Sequence, residues 1–210
     1  MESSSQLRNC DIVFVLGPPG SGKGTICRAV VNSRTKIGNI FYHLSVGDYL
    51  RELTSPNGPY NNIGSTRAMI RKHILDNKLV PAGLLIPVLW SEIHIRQGPG
   101  VDGITVAWLI DGFPRNMETA LAFEERMGKP NGVIILECAR ETARCRYLKR
   151  RREETDDDAK FEKRFDEYVE NMKAIRKHYE GNIKTVCVDG SIDDYFNNFL
   201  NALPWFSKDQ

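Results

Sequence analysis

The chain has 210 residues, 41% hydrophobic and 27% charged, with 29 Lys and Arg against 27 Asp and Glu for a net charge of +2. That length suits one sizeable domain with inserted lobes, and the balance is that of an ordinary soluble globular protein rather than a bulk nucleic-acid binder, which is usually more basic. No apolar run approaches membrane-spanning length, and five scattered cysteines without a Cys-x-x-Cys pair exclude a disulfide framework or zinc ribbon. The expectation is a cytoplasmic protein with reduced thiols, the nucleus left open, and no membrane or nucleic acid polymer as partner.

Residues 1–10 open with Met1-Glu2-Ser3-Ser4-Ser5, which has no apolar core; they read as a disordered N-terminus and not as a signal peptide. The apolar run 11–16 follows, and then Gly17-Pro18-Pro19-Gly20-Ser21-Gly22-Lys23-Gly24-Thr25, with helix-compatible residues at 26–31. Strand, glycine-rich loop and helix in this order are the setting of a phosphate-binding loop. The glycines let backbone N–H groups close on an anion, and the helix that starts near Gly22 aims its positive end at the same place. Lys23 adds a charge for the outer phosphates and Thr25 a hydroxyl for Mg²⁺. Gly24, between Lys23 and Thr25, departs from the general Gly-Lys-[Ser/Thr] ending.

The second apolar run, 39–44, leads into His43-Leu44-Ser45-Val46-Gly47-Asp48-Tyr49-Leu50-Arg51-Glu52, where Arg51 lies one helical turn past Gly47-Asp48. The stretch 52–65 is polar and turn-rich. A helical pattern covers 82–96, with Pro87 marking a break or a kink. The run 105–110 ends at Asp111, where a carboxylate can hold Mg²⁺ directly or through water; beside Gly112 the same residue could instead cap a turn. Four residues on, Arg115 can face the same cleft and clamp a phosphate with two parallel hydrogen bonds. Further apolar runs lie at 132–138 and 184–188. Between them, 159–179 is a clear helix whose apolar residues Phe161, Phe165, Tyr168, Met172, Ile175 and Tyr179 step by four and three. Ser191 reads as the N-cap of a last helix. Alternating β and α elements imply an α/β fold whose mostly parallel sheet is covered on both faces.

Three blocks, GPPGSGKGT at 17–25, HLSVGDYLRE at 43–52 and WLIDGFPRN at 108–116, resemble the nucleoside monophosphate kinases, which include adenylate kinases and UMP/CMP kinases. Lys78-Leu79-Val80-Pro81, Arg146-Tyr147-Leu148-Lys149-Arg150 and Lys163-Arg164 add weaker support, and the likeness runs from about residue 11 to the C-terminal helix. It implies a P-loop NTPase-type fold with a five-stranded parallel sheet and helices on both faces. The single domain would span 11–204, with an NMP-binding lobe at about 45–78, a short lid at about 150–158 and a C-terminal tail at 205–210. The implied substrates are ATP and a nucleoside monophosphate, the cofactor Mg²⁺, and the state a monomer. By residue-wise carry-over, residues 17–25 and Arg146 bind ATP, and Ser45, Val46, Arg51, Val80, Gly112, Arg115, Asn116 and Thr119 bind the monophosphate. Lys23, Arg115, Arg164 and Arg152 serve the transfer, and Thr25 and Asp111 serve Mg²⁺, partly through water.

The chain departs from this pattern in two places. Short-lid members show an arginine, one spacer and two aspartates. Here the run is Arg150-Arg151-Arg152-Glu153-Glu154-Thr155-Asp156-Asp157-Asp158, which a solvated charge run between two helices also explains. UMP/CMP kinases tend to read Ser-Ala-Gly-Asp and adenylate kinases Ser-Thr-Gly-Asp, against Ser45-Val46-Gly47-Asp48 here. Asn116 resembles the pyrimidine branch, but Thr119 stands where the family has Asn or Gln to meet the base. A hydroxyl lacks the paired donor and acceptor of an amide. UMP or CMP is the expected acceptor and AMP the alternative. The lack of Asn-Lys-x-Asp makes a regulatory GTPase a poor reading, and a shikimate-type kinase is not expected to show both Arg51 and Asp-Gly-Phe-Pro-Arg. A non-catalytic nucleotide-binding protein is the alternative of another class.

Overall fold

The computed structural model describes residues 10–33, 40–55, 64–97, 106–150 and 156–204. Residues 1–9, the expected tail at 205–210 and the lid segment 151–155, with Arg152, lie outside them. Five strands, β1 (Cys10–Leu16), β2 (Ile40–Ser45), β3 (Val106–Asp111), β4 (Gly132–Glu137) and β5 (Ile183–Cys187), form one parallel sheet in the order β2-β3-β1-β4-β5. Each apolar run of the sequence forms a strand because a parallel sheet buried on both faces needs near-continuous apolar residues.

The helices are α1 (Lys23–Asn32), α2 (Val46–Thr54), α3 (Gly64–Leu75), α4 (Ala82–Gln97), α5 (Met117–Met127), α6 (Arg140–Arg150), α7 (Asp158–His178) and α8 (Ile192–Ala202). Alternation along β1 divides the core. Ile12, Phe14 and Leu16 face a cluster fed by α2, α3, α4, α5 and α7, whereas Val13 and Val15 face α1 and α8. Phe14 meets Phe113 and Phe123 edge-on at ring distances of 5.3 and 5.0 Å. The Asp-Gly-Phe-Pro-Arg segment is thereby packed against the strand that launches the glycine-rich loop. Gly112 N–H also donates to Val15 O, at 3.1 Å.

Helix α4 continues through Pro87, with neither a strand nor a loop intervening. A proline loses one hydrogen bond to the preceding turn. Buried Leu85, Ile86, Val88, Leu89 and Ile93 hold the helix in the core cluster on both sides of that gap. Among the described residues no helix is long and apolar enough to cross a membrane.

Candidate active site

Two connections set the location. β1 lies at the centre of the sheet, between β3 and β4, and the loop after it lies beside the C-terminal end of β3, where Asp111 is in register with Val15. In open α/β sheets that end of the strands, where the chain order switches direction, is the crevice for ligands.

The loop Gly17–Gly22 needs its glycines. Gly20 has φ +85°, and a Cβ added there would lie 2.0 Å from the carbonyl oxygen of Ala143 in α6. The loop is therefore pressed against α6, and Gly20→Ala should both strain the backbone and force the two apart. We expect a loss of stability of about 2 kcal/mol, read by denaturant unfolding. A variant as stable as the parent would show that the contact yields without cost.

Lys23, the first residue of α1, turns its ammonium back into the loop, where it donates to Gly17 O (2.8 Å), Pro18 O (2.9 Å) and Ser21 Oγ (3.4 Å). Burial pushes its pKa down from 10.5 to about 8; Asp111 pulls it upward, while the guanidinium groups of Arg115 and Arg150 depress it further. Pro19 and Gly24 complete the loop and first turn, and Thr25 is exposed on α1. Asp111 is buried, and His43 Nε2 lies 3.1 Å from its Oδ2.

Across from Lys23, Arg51 of α2 and Arg115 converge on Gly47. A Cβ at Gly47 would lie 3.4 Å from Arg115 Nη2 and 3.5 Å from Arg51 Nη2, in ordinary contact with both guanidinium groups. Arg51 also pairs with Asp48, and Arg115 Nε donates to Gly112 O at 3.3 Å. The Arg115 pKa is lowered by burial first, then by Arg164 and Arg51, with Asp111 and Glu167 opposing. Three arginines from three helices or loops are thus brought together around one space.

Other residues singled out in the sequence are bonded or packed within the protein itself. Arg146 on α6 donates to Val188 O and Gly190 O, both at 2.7 Å, and so ties α6 to the β5–α8 connection. Asn116 is the N-cap of α5: its Oδ1 accepts from Thr119 N (3.0 Å) and from Thr119 Oγ1 (2.8 Å). The hydroxyl of buried Thr119 is turned into the helix cap. Val46, at the start of α2, and Val80, two residues before α4, are buried, and Ser45 ends β2 in register with Asp111.

His43 and Arg150 were not singled out from the sequence as site residues. Arg150 lies one turn after Arg146 on α6 and belongs to the cation set acting on Lys23. Its spacing from Arg146 is a readable signal. The His43–Asp111 contact is not, because it depends on β2 lying next to β3.

Thr25 and Asp111 offer a hydroxyl and a carboxylate, both hard oxygen donors that fit Mg²⁺ and not a thiophilic metal. His43 fixes the carboxylate's orientation. Among the described residues no group of three or more His, Cys, Asp or Glu converges. This sparse donor set suits a cation that keeps water and phosphate ligands.

The adenylate kinase family profile matches residues 15–184. A UMP-CMP kinase of Xenopus tropicalis is 36% identical over 194 residues, covering 88% of this chain and 92% of its own. Adenylate kinase isoenzyme 1 of Sus scrofa is 32% identical, covering 94% of this chain and 96% of its own. A uridylate kinase of Schizosaccharomyces pombe is 30% identical, with 92% and 97% covered.

Proposed function

The chain belongs to the nucleoside monophosphate kinase family to which the adenylate kinase profile corresponds, and from that premise we propose that it transfers the γ-phosphoryl group of ATP to UMP or CMP. The observation that carries this reading is the pair of facing cation sets. Lys23 and the loop 17–25 form one phosphate cradle, and Arg51 and Arg115 meeting over Gly47 form a second. Two phosphate-binding cation sets near enough for Arg115 to act on Lys23 are what in-line transfer between two nucleotides requires.

In this reading the backbone of residues 17–22 and Lys23 hold the outer phosphates of ATP, and Arg146, with the β5–α8 connection, lines the ATP side. Arg51 and Arg115 clamp the acceptor phosphate, with Ser45, Val46, Val80, Gly112, Asn116 and Thr119 around the acceptor. Arg164 and Arg150 bring further charge to the transferring group, as would Arg152 beyond the described residues. Thr25 and Asp111 would hold Mg²⁺, which when bound neutralises charge on the phosphates. The phosphate nucleophile is already anionic, so no general base is needed. Closure of the lobe at about 45–78 and the lid at about 150–158 over both nucleotides would gather these cations and exclude water. We place the enzyme in the cytoplasm as a monomer.

Apolar Val46 and Asn116 support a pyrimidine acceptor over AMP. Coupled ADP-formation assays over AMP, UMP, CMP, dCMP and GMP at fixed ATP measure this directly. We expect kcat/KM for UMP or CMP to exceed that for AMP by about tenfold, or about 1.4 kcal/mol. An equal preference for AMP would assign the adenylate kinase reaction. No transfer to any acceptor, with ATP still bound, would assign a binding protein.

A further inference from the structure

Helices α6 and α7 flank the lid segment and meet in a small apolar cluster of Ala143, Tyr147 and Phe161, separate from both faces of the sheet. Tyr147 is fully buried there, its ring 5.4 Å from that of Phe161. Its hydroxyl donates to Asp156 Oδ1 at 2.6 Å and accepts from Arg164 Nη1 at 3.2 Å. Asp156 is itself buried, and the same Oδ1 has Lys160 Nζ at 3.7 Å and Arg164 Nη1 at 3.8 Å. The phenol oxygen therefore bonds to both members of the long Asp156–Arg164 ion pair, whose guanidinium also acts on Arg115.

A buried carboxylate and a guanidinium with nothing between them close to a direct charge-assisted contact of about 2.8 Å, and such a pair is hard to part. With the phenol on the same Oδ1 at 2.6 Å, the Asp156–Arg164 pair stays at 3.8 Å, and Arg164 is steered by a phenol oxygen that the carboxylate polarises. We propose that Tyr147 is a positioning residue for phosphoryl transfer: its hydroxyl keeps Arg164 aimed at the transfer site by holding its ion pair with Asp156 long and preventing a direct contact. This rests on the reading of Arg164 given above.

Removing only the hydroxyl tests it. Tyr147→Phe should lower kcat about tenfold or more with KM for ATP and for the acceptor within about twofold, because alignment in the transition state is lost and ground-state binding is not. Adding Asp156→Asn removes the charge that captures Arg164, and the double variant should recover kcat to within about threefold of the parent. Thermal melts of each variant report whether the fold is kept. Unchanged kcat in Tyr147→Phe overturns the proposal, and so does a loss that Asp156→Asn fails to reverse, since a merely structural tyrosine gives no such rescue. Arg164→Ala tests the underlying reading by itself. A near-normal kcat there removes Arg164 from the transfer and the proposal with it. A large loss beside an unaffected Tyr147→Phe overturns the tyrosine's role alone.

Discussion

Lys23→Ala should lower phosphoryl transfer by at least roughly a hundredfold, about 2.7 kcal/mol of transition-state stabilisation, in a protein that remains folded. The ammonium sits inside the loop on two carbonyl oxygens, beside Asp111, and within the field of Arg115 and Arg150. A charge held there is expensive for the folded chain, as its depressed pKa records. The folded-state value of about 8 lies below the 10.5 of a free lysine, so between those values the unfolded chain binds more protons. Wild-type stability should therefore rise relative to Lys23→Ala as pH climbs through that window, and the difference should be flat below it. At neutral pH the variant should melt no lower than the parent. Transfer should also weaken above about pH 8 in kcat/KM for ATP, where the free enzyme loses the ammonium's proton. Turnover within a few-fold of the parent, in a sample free of contaminating kinase, would remove the phosphate-cradle reading.

Strand positions were legible to within a residue or two because burial on both faces leaves an unbroken apolar run for each strand. The loop at 17–25 was legible because its residue types have few other uses in that setting. What could not be read were contacts set by the order of strands in space. His43 reaches Asp111 only because β2 pairs with β3, although the chain between them runs through α2, α3 and α4. Thr119 shows a second limit. The sequence offers it as a group for the base, and in the free protein its backbone and hydroxyl both bond to Asn116, three residues earlier. A side chain near a helix start has a local partner available before any ligand arrives. Pro87 shows a third: a local helix-breaking preference yields where burial on both sides holds the helix.

Arg115→Met should have effects of opposite sign on activity and stability. Its side chain is solvent-exposed, and its guanidinium faces Arg51 across Gly47, with Arg164 near enough to lower its pKa. Arg164 and Arg51 both lower the Arg115 pKa, opposed by Asp111 and Glu167, while Arg51 pairs with Asp48 and Arg164 with Asp156. A neutral side chain of similar length relieves the repulsion from Arg51 and Arg164 and keeps the packing, so the free protein should melt at the same temperature or higher. The same change leaves the acceptor phosphate without its bidentate partner, in the step where charge spreads over the transferring oxygens. We expect kcat/KM for the acceptor to fall roughly a thousandfold, about 4 kcal/mol. A bisubstrate analogue that spans both sites should raise the melting temperature of the parent far more than that of the variant, because the parent gains both the contact and the relief of repulsion. Arg115→Lys separates charge from geometry: it restores the repulsion but not the planar fork, so it should lose most of the activity and none of the instability. If Arg115→Met instead melts well below the parent and still turns over normally, Arg115 is a structural residue of the β3–α5 turn, and the acceptor phosphate must be held elsewhere.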